Sequence, residues 1–189
     1  RGIYFVIIAK LLYIISSKNQ NEIPNLHIIT VENVDLDKNI QEQGVDEEAF
    51  YLHGFSSDLG IEATSNIPRI WIPILGEGKS DQLKRIYDLV KPDEICPVLP
   101  SPSKNPRRAD NLIMEYRELI FDQLRIEPRN IIYASETNPF EVYRQIFSTI
   151  EHYEDVLKPL GGCKVVISAT SSKLLSIGAL LAAYDAKKN

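Results

Sequence analysis

Four polar stretches in this chain carry residue types that bind anions. The first is Ser168-Ala169-Thr170-Ser171-Ser172-Lys173, between an apolar run (Val165-Val166-Ile167) and a stretch of helical period. A helix start leaves backbone N–H groups unpaired and carries partial positive charge. Hydroxyls and a lysine at such a start can cradle an anion or a phosphate. Capping by Thr170 or Ser171 alone is the alternative; Lys173 adds a charge that capping does not require.

The second stretch is Gly76-Glu77-Gly78-Lys79-Ser80. It approaches a phosphate-binding P-loop, but that motif needs a glycine where Pro73 stands. The remaining readings are a glycine turn that caps the next helix and a non-hydrolytic ligand contact. The third is Ser101-Pro102-Ser103-Lys104-Asn105-Pro106-Arg107-Arg108, a basic loop in an acidic chain, restricted by prolines from Pro100 on. It reads either as solvated charge or as a preformed basic loop facing phosphates. The fourth, Ser135-Glu136-Thr137-Asn138-Pro139, places Asn138 as a cap with Pro139 in the first helical turn. No catalytic constellation stands out; Glu77 and Glu136 are candidates for a carboxylate pair, though nothing in the sequence brings them together.

The elements that position these loops follow a regular rhythm from Pro68 onward. Strands are expected at Arg69–Leu75, Glu94–Leu99, Asn130–Ala134 and Val165–Ile167. Helices are expected at Lys79–Val90, Ala109–Leu124, Phe140–Leu157 and Lys173–Ala186. Alternation of this kind gives right-handed βαβ crossovers and an α/β fold, three-layered, with a mostly parallel sheet. Short apolar strands fit a sheet covered on both faces. Ligands in such sheets bind beyond the carboxyl ends of the strands, and each polar stretch follows one. The expected shared site therefore comprises Gly76, Glu77, Gly78, Lys79, Ser80, Ser101, Ser103, Lys104, Asn105, Arg107, Arg108, Thr170, Ser171, Ser172 and Lys173.

Before Pro68 the pattern is looser. Ile3–Ile15 reads as a buried helix or, as the lesser alternative, a core strand; it is too short to span a bilayer and is interrupted by Lys10. Leu26–Val31 reads as a strand, 34–48 as an acidic loop, and 50–60 as an edge strand or a lid. No internal boundary is evident, so residues 1–189 read as a single domain, and the abrupt apolar start as a fragment of a longer chain. The net charge of −5 over 189 residues argues against general nucleic-acid binding. Cys96 and Cys163 read as buried, reduced thiols of a cytoplasmic protein. His27, His53 and His152 are scattered, so neither a metal nor a cofactor is expected, and no membrane association.

Val165 to Lys173, followed by Ile177-Gly178-Ala179 and Ala182-Ala183, resembles the end of CARF domains, the Rossmann-like sensors of CRISPR-associated proteins. Those carry a strand, a Thr-Gly-Gly-Thr-Lys-like turn and a helix with small residues; here Ser171 and Ser172 stand at the glycine pair. The SAVED sensors of anti-phage systems are similar in the same way. The resemblance implies a sensor that binds a cyclic oligonucleotide, or another phosphate-bearing nucleotide second messenger, at the sheet rim. It also implies a homodimer and a fused or associated effector domain. A Rossmann-like hydrolase or phosphoesterase using Glu77, Lys79 and the basic loop is the enzymatic alternative; a ligand-free scaffold is the third.

Overall fold

The computed structural model describes residues 2–16, 25–31, 49, 51 and 67–187. The chain divides into two compact units, Arg1–Ser56 and Ser57–Asn189. In the first, helix α1 spans Gly2–Ser16. It is a helix but not the buried one expected: Ala9 is buried, whereas Ile7, Leu11, Tyr13 and Ile14 are exposed. No helix among the described residues is long and apolar enough to cross a membrane. The strand expected over Leu26–Val31 is absent; residues 25–31 have no regular structure. Ile29 is 87% exposed, and a strand without a partner leaves its backbone unpaired. The expectations for 34–48 and, Tyr51 apart, for 50–60 lie outside the described residues.

The second unit holds a parallel sheet of β1 (Arg69–Ile74), β2 (Glu94–Ile95), β3 (Val98–Pro100), β4 (Ile132–Ala134) and β5 (Lys164–Ala169). Between them run α2 (Ser80–Val90), α3 (Arg108–Glu115), α4 (Pro139–Leu157) and α5 (Lys173–Ala186). This is the α/β, Rossmann-like architecture expected. β2 and β3 are one strand path interrupted at Cys96-Pro97, since both pair with β1 on the same side. Cys96 N–H still reaches Trp71 O at 2.8 Å, whereas Pro97 has no N–H to offer the ladder. The expected helix over Ala109–Leu124 ends early; a π-helical turn, Glu118–Gln123, completes it. β5 runs two residues past the expected strand, so Ser168 and Ala169 belong to it rather than to the turn.

Across the sheet the order is β4, β2/β3, β1, β5. Successive connections step outward from β1 to β4, then the chain returns through α4 to the opposite side of β1. The direction reverses between β1 and β5, which makes that gap the topological switch point. β1 is buried along most of its length. Ile70, Ile72 and Ile74 face Val142, Ile146 and Ile150 of α4 and Leu175, Ala179 and Ala182 of α5. Side chains alternate along a strand, so Trp71 turns to the other face, its ring 6.2 Å from that of Tyr87 in α2. Gly178 lets α4 and α5 meet closely: a Cβ there would lie 2.7 Å from Val142 Cβ and against the Pro139 carbonyl. Gly161 and Gly162, both at φ +92°, make the expected turn into β5.

Candidate functional site

Parallel pairing brings the carboxyl ends of all strands to one edge. Ile74 pairs with Ala169 and with Val98, and Pro100 with Ala134. All four polar stretches therefore leave the sheet along one rim.

At the switch point the two central turns touch through their backbones. A Cβ on Gly76 would stand 2.5 Å from Thr170 O and 2.9 Å from Ser171 Cα. Only glycine allows this approach. Thr170 Oγ1 donates to Ile74 O at 2.8 Å, so its hydroxyl ties β5 to the end of β1. Ser172 is the N-cap of α5, its side chain accepting from Leu175 N–H; the caps expected from sequence, Thr170 and Ser171, lie two positions and one position before it. Ser171 Oγ is buried with no hydrogen-bond partner, and Lys173 is the first residue of α5. Ser168 Oγ accepts from the Trp71 indole at 3.0 Å, which commits it to the face of the sheet that Trp71 occupies.

The Gly76–Ser80 turn is held differently. Gly78 adopts φ +66°, and its N–H donates to Glu115 Oε1 at 2.7 Å. Lys79 N–H donates to Tyr116 Oη at 3.0 Å, and Tyr116 in turn donates to Gly76 O. Burial pushes the Tyr116 hydroxyl up to about 12, so it remains a donor at neutral pH. Lys79 is the N-cap position of α2 but makes no side-chain cap, and Ser80 opens the helix. Two N–H groups that a phosphate turn would offer to a ligand are thus bonded to the end of α3 and the residue after it. Neither Glu115 nor Tyr116 was identifiable from sequence, where both read as ordinary helix positions.

The basic loop is bound to its neighbours. Arg108 forms a fork on Glu77, with Nε to Oε1 at 2.6 Å and Nη2 to Oε2 at 2.8 Å. Its Nη1 donates to Glu136 Oε1. Lys104 N–H donates to Glu136 Oε2 at 3.1 Å. One guanidinium therefore joins the loops after β1, β3 and β4, and it brings Glu77 and Glu136 together. The hydrogen bond from Arg108 holds the Glu77 carboxyl below the usual range, against a smaller opposing effect of burial. Ser101 N–H donates to Ala134 O; Ser103 Oγ donates to Asn105 O, and Asn105 Oδ1 accepts from Arg107 N–H. The side chains of Lys104, Asn105 and Arg107 lie in exposed residues. The Ser101–Pro102 peptide is cis.

At the opposite, amino edge a cleft of about 650 Å³ is lined by Glu94, Cys96, Asn130, Thr149, His152 and Tyr153 among others. Cys96 is buried and donates to Tyr153 Oη at 3.3 Å; burial raises its thiol. Cys163 is only partly buried, unlike the expectation for it. Among the described residues no group of His, Cys, Asp and Glu is arranged to hold a metal ion. No protein-family model matches the chain, and no curated protein matches it; a functional reading rests on the fold and on the chemistry of the rim.

Proposed function

We propose that this chain is a CARF-like sensor domain. Its ligand is a cyclic oligonucleotide or another phosphate-bearing nucleotide, bound at the rim over the β1–β5 switch point, and its output is regulation of a defence effector, fused or associated. The domain works as a homodimer in the cytoplasm. The observation that supports this reading is the strand order, which sets Lys173 and the start of α5 beside the one gap in the sheet where direction reverses. There the α5 N-terminus carries partial positive charge, and the uncommitted hydroxyl of Ser171 lies one residue from its N-cap.

The test is a Lys173→Ala titration against cyclic and linear oligonucleotides. A charge-assisted hydrogen bond contributes roughly 1.5–3 kcal/mol, so affinity should fall about tenfold or more. Melting temperature should change little. Unchanged affinity for a ligand that the unaltered protein binds would rule out this site.

A second reading, a hydrolase or phosphoesterase, gains one observation: Glu77 and Glu136 meet on Arg108. Metal-dependent turnover lost on Glu77→Ala would favour it. Binding without turnover would favour the sensor.

A further inference from the structure

We infer that Glu77 guards Arg108: a phosphate group of the ligand reaches this guanidinium by displacing the Glu77 carboxylate, while Glu136 keeps the arginine in place. The inference rests on the ligand class proposed above and names the residue that regulates its access.

The geometry of the Glu77 fork carries the inference first. Two parallel N–H donors meet two carboxylate oxygens, which is also how a guanidinium takes a phosphate. A phosphodiester offers two non-bridging oxygens that share one negative charge. Exchange of Glu77 for a phosphodiester would therefore conserve both the charge on Arg108 and the number of hydrogen bonds.

The two carboxylates also differ in how firmly they are held. The Glu77 side chain is 50% exposed, against 15% for Glu136 and 18% for Arg108. An exposed ion pair contributes little and exchanges readily with solvent ions, whereas opening a buried pair leaves a charge uncompensated. Glu136 has a second anchor in the Lys104 N–H. Glu77 sits between Gly76 and Gly78, beside the switch point, so the displaced limb is the one nearest the proposed ligand. The acidic group that faces this turn from α3, Glu115, accepts from Gly78 N–H.

The test compares the unaltered protein with Glu77→Gln and Glu136→Gln, titrated with inorganic pyrophosphate at constant ionic strength, with melting temperature as a control. Removing the competing charge should tighten binding by Glu77→Gln about tenfold, the scale of one charge-assisted hydrogen bond. Glu136→Gln should not tighten it. In the unaltered protein, pyrophosphate should raise the carboxyl titration of Glu77, followed by carbon NMR, towards that of a free glutamate. If Glu136→Gln fails to fold, Arg108→Lys replaces it: lacking the fork, Arg108→Lys combined with Glu77→Gln should lose the gain. Unchanged or weaker binding by Glu77→Gln, equal tightening by Glu136→Gln, or no binding by any variant would each overturn the inference. Cyclic oligonucleotides are titrated in parallel. Lys173-dependent nucleotide binding that ignores Glu77→Gln would overturn the guard and keep the sensor. A pyrophosphate gain in Glu77→Gln with no nucleotide bound by either protein would keep the guard and overturn the sensor.

Discussion

The turn into α2 and the turn into α5 are written in nearly the same residues and do different things. Each follows a parallel strand, β1 buried and β5 mostly half-buried, and each brings serine and lysine to a helix start. In the α5 turn the helix supplies its own cap, Ser172, and the hydroxyl of Ser171 is left uncommitted. In the α2 turn there is no side-chain cap, and the free N–H groups go to Glu115 and Tyr116. The difference comes from the neighbours. The end of α3 reaches the first turn, while the second meets the Gly76 backbone and the Ile74 carbonyl. Donors at a lysine–serine helix start that tertiary contacts already use cannot serve an anion as well, which counts against the α2 turn.

Substitutions can break this contrast in order of expected effect. Gly76→Ala should be the most damaging, because its Cβ meets backbone atoms that cannot rotate away; overpacking of this kind costs about 1–3 kcal/mol and sometimes more. Denaturant unfolding would measure it, and a change under 0.5 kcal/mol, roughly the scatter of an inert surface substitution, would mean that the turns do not touch. Tyr116→Phe should come next, since it strands the Gly76 carbonyl and the Lys79 N–H together; an unsatisfied buried group costs about 1–3 kcal/mol. Amide exchange at Lys79 should accelerate, with that of Leu175 unaffected. Ser172→Ala should cost about 1 kcal/mol, the usual loss of an N-cap, and should reverse the pattern, with Leu175 exchanging faster and Lys79 unchanged.

The smallest effect is that of pH on the Arg108 clasp. The folded Glu77 carboxyl lies below its ordinary value of 4.5. Its contribution is therefore present above that value and lost as pH falls through the lower, folded one. Because Glu77 is half exposed, the contribution should stay under about 1 kcal/mol. Comparing acid unfolding of the unaltered protein with that of Glu77→Gln isolates it; identical profiles would show that the clasp adds nothing to stability.

The rhythm from Arg69 to Ala186 was legible because buried strands and amphipathic helices write their periods locally. Arg69–Leu75 and Lys79–Val90 show this best: a buried strand and an amphipathic helix, each recovered to within one residue. The rim was legible to the same extent, since each loop follows its strand. What local pattern could not show was how the loops are joined. Arg108 reads as part of a basic run, either solvated or facing phosphates, yet its partners lie 31 and 28 residues away. The capture of Gly78 by Glu115 depends on α3 ending where it does, which no residue of the turn announces. Leu26–Val31 failed in the opposite way: its β-branched run satisfies local preference, but a strand exists only with a partner.

Gly178 has a mechanical consequence. With no side chain between them, the middle of α5 bears on the first turn of α4 at the Pro139 carbonyl and Val142. Any side chain at 178 would have to push the two helices apart. The α4 end of that contact follows directly on the Glu136 loop, and the α5 end leads back to Lys173.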